Sequence, residues 1–363
     1  KNGVVVDIES TTYAIKKSIA EAEAMAGCHI GSCYVGISGS HIRGLNSEGV
    51  VPIKDGEVRY GDVDRVIETA QAMAIPADQR LLHVLPRDYI IDKQDGIKEP
   101  LGMAGSRLEA KVHLVTCSEN SSLNIHKCIN ASGLDVEAFV LEQLASSYSV
   151  LTNDERDLGV CLIDIGGGTT DMAVFMDGSI AFTDVIPIAG DHVTNDIAQA
   201  LRTPPTQAEH IKQRYGCAVS SLTKPEEVMM VPGMGGRPER ELSRQALADV
   251  LERRYVEIFS MAQQKLSLSG FESLIPAGVV LTGGAAKVEG ASELAEEIFH
   301  APVRLGSPHS IEGFSEIINN PIYATSVGLL LYGQKQLQED HLNYIHRDKN
   351  ILNRLSRWFG GNL

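Results

Sequence analysis

Two aspartates enclose a run of three glycines in the middle of the chain, and this segment is the one best suited to bind an anion. Residues 164–171 read Asp-Ile-Gly-Gly-Gly-Thr-Thr-Asp and lie between two apolar runs typical of strands. Successive glycines let the backbone turn sharply and expose N–H groups that can hold phosphate oxygens. Asp164, at the end of the first strand, can hold Mg²⁺ directly or through water. A plain hairpin loop would explain one glycine, but not three between two aspartates.

Other nucleotide motifs do not describe this loop. The P-loop pattern GxxxxGK[ST] is absent from the sequence, and the glycines lead into a strand instead of the helix of a Rossmann fingerprint. A second pair, Gly283 and Gly284, follows an apolar strand and precedes a helix, where small residues let a flat ring approach the backbone. Because many strand–helix turns contain two glycines, this pair indicates a site only together with the first loop.

The elements that must position these loops follow from hydrophobic periodicity. In the first half we expect a helix over 10–26, a strand over 33–38, and helices over 121–132 and 143–151. Between them, residues 46–118 read as a small α+β insertion whose one helix, over 63–74, Asp62 can cap. In the second half we expect strands over 158–165, 172–176, 180–188 and 278–282. The helices expected there cover 191–201, 207–215, 243–268, 291–299 and 323–332.

Composition narrows the function classes. The 363 residues carry a formal charge of −15, which argues against non-specific nucleic-acid binding. No run of about 18 apolar residues is present, so no segment reads as a transmembrane helix. The six cysteines match no zinc or redox spacing and read as reduced thiols, and no HExxH motif or nucleophilic triad can be argued.

Several longer stretches resemble one family. Besides the two glycine loops, they are GVVVDIEST, LLHVLPRDYIID, KVHLVTC, LASSYSVL, VIPIAGDHVTNDIA, TPPTQAEHIK and GGRPER. Over essentially its whole length the chain resembles the FtsA family of bacterial division proteins, within the actin/Hsp70/sugar-kinase ATPase superfamily. The resemblance implies an α/β, actin-like ATPase fold in which two β-β-β-α-β-α-β-α domains flank a nucleotide cleft.

The resemblance also implies a division of the chain. Residues 1–45 and 119–157 correspond to subdomain 1A, and 46–118 to the inserted subdomain 1C. Residues 158–202 and 269–333 correspond to subdomain 2A, and 203–268 to subdomain 2B. A polar linker over 334–348 and an amphipathic membrane-targeting helix over 349–363 complete the chain.

ATP and Mg²⁺ are the ligands that the resemblance implies, with Asp164 as the metal-associated aspartate. The resemblance also implies a phosphate loop of Gly166, Gly167, Gly168 and Thr169, and a ribose-adjacent turn of Gly190 and Asp191. It implies that Glu209 and Lys212 reach the ribose and adenine, and that Gly283, Gly284 and Ala285 form the adenosine loop. Considered without the resemblance, Glu209 and Lys212 are an i, i+3 pair on a helix, for which a surface ion pair is the default.

Two features limit how far the resemblance to hydrolytic members of the superfamily extends. The superfamily's first phosphate loop lies in an N-terminal strand–turn–strand unit, which we expect to be absent from this sequence because it would precede Lys1. Glu142 is the positional candidate for the acid that orients the attacking water, but a solvated residue at a helix start explains it equally well. We therefore expect ATP binding with slow or absent hydrolysis.

The C-terminal segment has the pattern of a helix lying in a membrane interface. One helical face carries the apolar residues Ile351, Leu352, Leu355, Trp358 and Phe359. The basic residues Lys349, Arg354 and Arg357 lie beside this face. Burying the five apolar side chains would contribute about 5–10 kcal/mol before ordering costs. The alternative is a helix that docks back onto the core, which the polar residues preceding it disfavour.

A concentration of arginines in an acidic protein suggests a surface for an acidic partner. These residues are Arg237, Arg240, Arg244, Arg253 and Arg254. Arginine binds carboxylates bidentately, and the resemblance implies that this region receives the C-terminal peptide of the tubulin-like FtsZ. Scattered solvated arginines are the alternative.

The resemblance implies further partners: other copies of the chain in filaments, later division proteins, and an anionic membrane whose cytoplasmic face the protein would occupy at the division site. Two other function classes stay open. One is a phosphotransferase of the same superfamily, and the other is a peptide-binding adaptor with a vestigial nucleotide site.

We expect Trp358→Glu to abolish lipid binding and to leave nucleotide binding unchanged, because it places a charge in the middle of the apolar face of the C-terminal helix. Flotation with anionic liposomes measures the first property, and calorimetry with ATP the second. A variant that floats like the unmodified protein would contradict the membrane interpretation.

Overall fold

The computed structural model describes residues 3–309, 311 and 315–338. The helices are α1 (Ile8–Ala26), α2 (Tyr60–Gln71), α3 (Glu119–Ala131), α4 (Glu142–Val150), α5 (Asn153–Leu158), α6 (Gly190–Ala200), α7 (Pro205–Tyr215), α8 (Arg244–Ser269), α9 (Ala291–Phe299), α10 (Ser315–Ile318) and α11, which covers 324–338. The strands are β1 (Ser32–Ile37), β2 (Arg43–Pro52), β3 (Gln79–Ile91), β4 (Gln94–Ile97), β5 (Arg107–Ser118), β6 (Asp135–Leu141), β7 (Val160–Ile165), β8 (Thr170–Met176), β9 (Ser179–Ile186), β10 (Val228–Val231), β11 (Arg240–Ser243), β12 (Val279–Thr282) and β13 (Val303–Leu305).

A five-stranded sheet organises the second half, with the strand order β13-β12-β7-β8-β9. Strands β7, β8 and β9 form an antiparallel meander, whereas β12 and β13 run parallel to β7. All residues of β7 and β12 are buried, which accounts for their continuous apolar sequences. Thr282 pairs with Asp164, so the two glycine loops begin side by side at one edge of the sheet.

The insertion forms its own four-stranded antiparallel sheet, with the order β2-β5-β3-β4, and α2 packs against it. It docks on β9 of the second half. The His113 ring lies between Asn46 Oδ1 (2.7 Å) and Thr183 Oγ1 (2.9 Å), and Asn46 Nδ2 donates to the carbonyl of Ala181. Burial lowers the pKa of His113 to about 4, so the ring joins the two sheets as a neutral group.

The first half contributes, within the described residues, a two-stranded parallel sheet of β1 and β6, followed by α4. An aromatic cluster of Tyr34, Tyr148 and Tyr332 packs α11 onto this half. His83 lies beside it and accepts the N–H of Leu141 at Nε2 (3.0 Å), and its burial lowers its pKa to about 4.

Two of the expected helices differ from the structure by three residues or more at one end or both. Helix α2 covers Tyr60–Gln71 instead of 63–74, so Asp62 is not its N-cap residue. Asp62 lies in the first turn, where its carboxylate accepts the backbone N–H of Arg59 (3.0 Å), the residue before the helix. Helix α11 continues past Gly333 to residue 338, so 334–338 of the expected linker are helical. Gly333 is needed there because a side chain would overlap the Tyr34 ring.

The six thiols are all free, and only Cys28 is exposed. Within the described ranges, no helix combines the length and the hydrophobicity required to cross a bilayer. The candidate membrane residues 351–359 lie outside the described residues.

Helices α4 and α11 cross with their backbones in direct contact. A Cβ atom at Gly328 of α11 would overlap the carbonyl oxygen of Ala145 in α4. Because α4 lies between β6 and β7 in the chain, the crossing holds α11 against the segment that connects the first half to the second-half sheet.

We expect Gly328→Ala to lower the free energy of unfolding by about 1–3 kcal/mol, because the added methyl group must push the two helices apart. Chemical denaturation measures the change. The matched control is Gly61→Ala in α2, where a Cβ would meet no atom and where alanine should be neutral or stabilise by up to about 1 kcal/mol. Equal stability of the two variants would contradict the close crossing.

Candidate functional site

The first glycine loop is held against the start of α6. The carbonyls of Gly166 and Gly167 accept the N–H groups of Gly190 (3.0 Å) and Asp191 (2.8 Å). The N–H of Gly166 donates to the carbonyl of Thr169 (3.0 Å), so it is not available to a ligand as the sequence suggested. The N–H groups of Gly167 and Gly168 have no acceptor among the described residues, which leaves them to bind an anion.

Asp164 lies almost fully buried at the end of β7. Its Oδ2 atom accepts hydrogen bonds from Ser146 Oγ in α4 (2.5 Å) and Thr325 Oγ1 in α11 (3.2 Å). Burial raises the pKa of this carboxyl, and the two hydroxyl donors oppose that rise. Sequence reasoning missed Ser146 and Thr325, since a hydroxyl inside an apolar helix pattern gives no sign of its acceptor.

Hydroxyl groups also connect the two halves across the cleft. Ser38, at the end of β1, donates to the carboxylate of Asp171 and lies 3.2 Å from Thr169 Oγ1. Thr169 in turn donates to Asp171 (2.8 Å), so its side chain is committed to the protein. Asp171 was noted in the sequence only as the second aspartate of the loop, and Ser38 was not predicted.

Glu142 lies at the start of α4, half-buried and beside Gly36. Burial, and then the negative charges of Asp171 and Asp164, raise the pKa of Glu142 to about 8. Burial likewise raises the pKa of Asp171. In the absence of a cation Glu142 therefore carries a proton near neutral pH, and a positive charge in the cleft would favour its ionised form.

The second glycine loop touches the first. Gly283 has a φ of +88°, and a Cβ there would overlap Asp164 Oδ1 and the carbonyl of Ile165. A Cβ at Gly190 would lie 3.1 Å from the Gly166 carbonyl and 3.3 Å from the Cβ of Ala285. Glycine at these positions therefore keeps the first loop, the second loop and the start of α6 in contact around one cleft.

Lys212 and Glu209 do not form the surface ion pair that their spacing alone suggests. Lys212 is buried, and its Nζ donates to Glu209 (2.7 Å), Thr194 Oγ1 (2.8 Å) and the carbonyl of Gly190 (3.1 Å). Burial alone would raise the pKa of Glu209, but hydrogen bonds from Lys212 and Thr194 lower it. The pair thus fixes α7 to the turn that starts α6.

Tyr255 of α8 holds the second glycine loop through a hydrogen bond. Its buried hydroxyl donates to the carbonyl of Ala285 (2.7 Å). The sequence predicts a helix over 243–268 but does not single out this tyrosine. Tyr255 lies four residues after the buried Leu251, a spacing that puts both on one helix face, whereas the acceptor of its hydroxyl is seen only in the structure.

Three of the five arginines of the expected partner surface are bound to other groups of the chain, and two have no carboxylate partner in the described residues. Arg244 pairs with Glu227 and Glu289, Arg254 pairs with Asp196 and Glu257, and Arg240 donates to the carbonyl of Leu201.

Arg237 and Arg253 have no carboxylate partner among the described residues. Arg237 lines a surface cavity of about 740 Å³ together with Met234, and Arg253 lines one of about 510 Å³.

The residues fit a metal ion that arrives with a nucleotide. Across the part of the chain that the structure describes, no three His, Cys, Asp or Glu side chains are grouped so as to hold a metal by themselves. Mg²⁺ is commonly held by one or two carboxylates together with phosphates and waters, and Asp164 beside the glycine loop supplies such a carboxylate.

Solved structures with this architecture show the fold class of the chain. The PilM–PilN type IV pilus biogenesis complex matches with a TM-score of 0.65 and 16% identity, over 92% of this chain and 87% of that chain. MreB5 of Spiroplasma citri bound to ADP matches with a TM-score of 0.56 and 16% identity, over 94% and 80% of the two chains. The fold is that of the actin-like ATPases.

Sequence comparison then places the chain within this class. The sequence-family model named cell division protein FtsA matches residues 161–328. The family model of the SHS2 domain inserted in FtsA matches residues 39–116. The FtsA of Pseudomonas aeruginosa is 59% identical over 100% of this chain and 89% of its own length. The FtsA of Escherichia coli K12 is 47% identical over 94% of this chain and 82% of its own length. The chain belongs to the FtsA family of cell division proteins, which confirms the resemblance and the expected α/β fold with its insertion.

We expect Glu142→Gln to become more stable relative to the unmodified protein as pH rises from about 5 to 8. The folded state raises the pKa of Glu142, so it binds more protons than the unfolded state and loses stability over this window, whereas the variant does not. The difference should grow by at most about 1.4 kcal/mol per pH unit. Denaturation at several pH values measures it.

Asp7→Asn is a control whose stability difference from the unmodified protein should change with pH in the opposite direction and in a more acidic range. Hydrogen bonds from Ser10 lower the pKa of Asp7, which caps α1, so Asp7 contributes stability that is lost as pH falls below about 5. A difference for Glu142→Gln that does not change with pH would contradict the crowding of carboxylates in the cleft.

Proposed function

We propose that this chain binds ATP with Mg²⁺ between its two glycine loops, assembles with other copies at the cytoplasmic membrane, and tethers FtsZ filaments there during bacterial cell division. The observation that carries the proposal is the side-by-side start of the two loops, set by the pairing of Thr282 with Asp164. Family membership supports the role in division.

The N–H groups of Gly167 and Gly168 would hold phosphate oxygens, with Asp164 next to them for the metal ion. Bound Mg²⁺ would neutralise phosphate charge in the cleft. The adenosine would lie between the Gly283–Ala285 loop and the buried Lys212, whose hydrogen bonds to Gly190 and Glu209 keep that side of the cleft in place. Tyr255 would support this loop through Ala285.

Hydrolysis would be slow or absent. Glu142 is the candidate for orienting a water molecule, but its raised pKa leaves it protonated near neutral pH until a cation compensates the neighbouring aspartates. The proposed role is therefore that of a nucleotide-dependent assembly protein, not of a phosphotransferase with rapid turnover.

The C-terminal segment would attach the protein to the membrane. The sequence of residues 347–359 combines an apolar face with basic residues, which suits a helix in the interface of an anionic membrane. Assembly into filaments would add avidity to this reversible anchor.

The FtsZ peptide would bind on the face that carries Arg237 and Arg253. Neither arginine has an intramolecular carboxylate partner in the described residues, and each lines a surface cavity, so both are available for the carboxylates of a peptide. Arg244 and Arg254 would instead keep the surface in shape through their internal ion pairs. The insertion would contact neighbouring copies or later division proteins.

Co-sedimentation of FtsZ filaments with anionic liposomes, with and without ATP, tests the proposal. We expect the unmodified protein to bring filaments to the liposomes, and deletion of 347–363 to abolish this. We also expect Gly167→Val to abolish ATP binding in calorimetry and any effect of ATP on sedimentation. Its Cβ would start 3.3 Å from Asp191 Oδ1 and its methyl groups would enter the space beside the phosphate loop.

Other outcomes would favour the alternatives. Sedimentation that does not depend on residues 347–363 would rule out the membrane tether. A monomer that binds peptide but ignores ATP would indicate an adaptor with a vestigial site, and rapid ATP consumption with a small acceptor would indicate a phosphotransferase. Unchanged ATP affinity in Gly167→Val would show that the glycine loop is only structural.

A further inference from the structure

Two hydroxyl groups from separate helices meet at one oxygen of Asp164. Ser146 Oγ of α4 and Thr325 Oγ1 of α11 both donate to Oδ2, at 2.5 Å and 3.2 Å, and the two hydroxyl oxygens lie 2.9 Å apart. Asp164 itself belongs to β7. Three elements that are distant in sequence therefore converge on a single carboxylate oxygen.

The other oxygen of Asp164 is left open. Oδ1 accepts no hydrogen bond from the described residues, and it lies against Gly283, where any Cβ would overlap it. A carboxyl group rotates easily about its last torsion unless donors hold it. Because both donors hold Oδ2, the carboxylate is kept with Oδ1 turned toward the meeting point of the two glycine loops.

Neighbouring serines show that this arrangement is particular to Ser146. Ser147 Oγ donates to the carbonyl of Leu144 in its own helix, and Ser149 Oγ donates to the carbonyls of Ser146 and Ala324. Such local bonds to the helix backbone are the common way for a buried serine to satisfy its hydroxyl. Ser146, which is fully buried, instead donates to the carboxylate of Asp164.

We propose that Ser146 and Thr325 are positioning residues that orient Asp164 for the nucleotide-bound Mg²⁺ or its water. This inference rests on the proposed function, because it assigns the two hydroxyls to the metal side of the same cleft. Partners that orient a metal-associated side chain commonly contribute 10–100-fold to metal affinity. Since neither hydroxyl faces the open oxygen, their effect on the metal is exerted through Asp164.

The test uses Ser146→Ala and Thr325→Val, each of which removes one hydroxyl with little change of shape. The measurement is the Mg²⁺ concentration that gives half-maximal binding of a fluorescent ATP analogue, with the affinity in EDTA as the metal-free reference. We expect each variant to need about tenfold more Mg²⁺ and to bind the analogue in EDTA as the unmodified protein does. Thr325→Ser should restore the unmodified behaviour.

Ser147→Ala is the matched control, since it removes an equally buried serine hydroxyl of α4 that does not contact Asp164. Its Mg²⁺ requirement should equal that of the unmodified protein. Thermal unfolding of all variants without nucleotide reports any general loss of stability.

The outcomes separate this inference from the proposed function. If the unmodified protein shows no Mg²⁺-dependent nucleotide binding, the proposed function fails and the inference with it. If the unmodified protein binds and both variants keep its Mg²⁺ requirement, only the positioning role is overturned. Equal loss of affinity with Mg²⁺ and in EDTA would also overturn it, because a purely structural role would weaken both alike.

Discussion

The parallel pairing of β7 with β12 is the contact on which the cleft depends. Both strands are buried throughout, and their register sets Thr282 opposite Asp164. A shift of one residue would exchange the β12 side chains that pack into the cores on the two faces of the sheet and would displace one glycine loop relative to the other. The buried hydrophobic surface of the sheet therefore determines the spacing of the polar site at its edge.

Around this edge the site is assembled from short polar contacts between elements of both halves. Ser38 directly follows β1, Ser146 belongs to α4 and Thr325 to α11, and all three donate to aspartates that flank the first loop. On the other side of the cleft, Lys212 donates to the carbonyl of Gly190, and Tyr255 donates to the carbonyl of Ala285. In a buried site each such donor offsets the cost of removing a carboxylate or a carbonyl from water.

Much of this architecture was predictable from the sequence because it follows from local patterns. The glycine loops were found from residue type and spacing, and the boundaries of α8 and β12 from apolar periodicity and flanking glycines. The hydroxyl donors were not predictable, since Ser146 and Ser147 are adjacent and identical in the sequence but choose different acceptors. The burial of Lys212 was missed for a similar reason: an i, i+3 pair carries no information on what packs over it. Gly333 suggested the end of a helix in the sequence, but its lack of a side chain makes room for the Tyr34 ring, which is distant in sequence.

The backbone contact between Gly328 and Ala145 leaves no flexible side chain between α4 and α11. Packed backbone atoms resist compression, so α4 and α11 cannot approach each other any closer at this point. Thr325 lies one helical turn from the pivot and Tyr332 lies one turn on its other side. If α11 pivots at this contact as a rigid rod, a displacement of its Thr325 end toward or away from Asp164 is accompanied by a displacement of its Tyr332 end in the opposite direction.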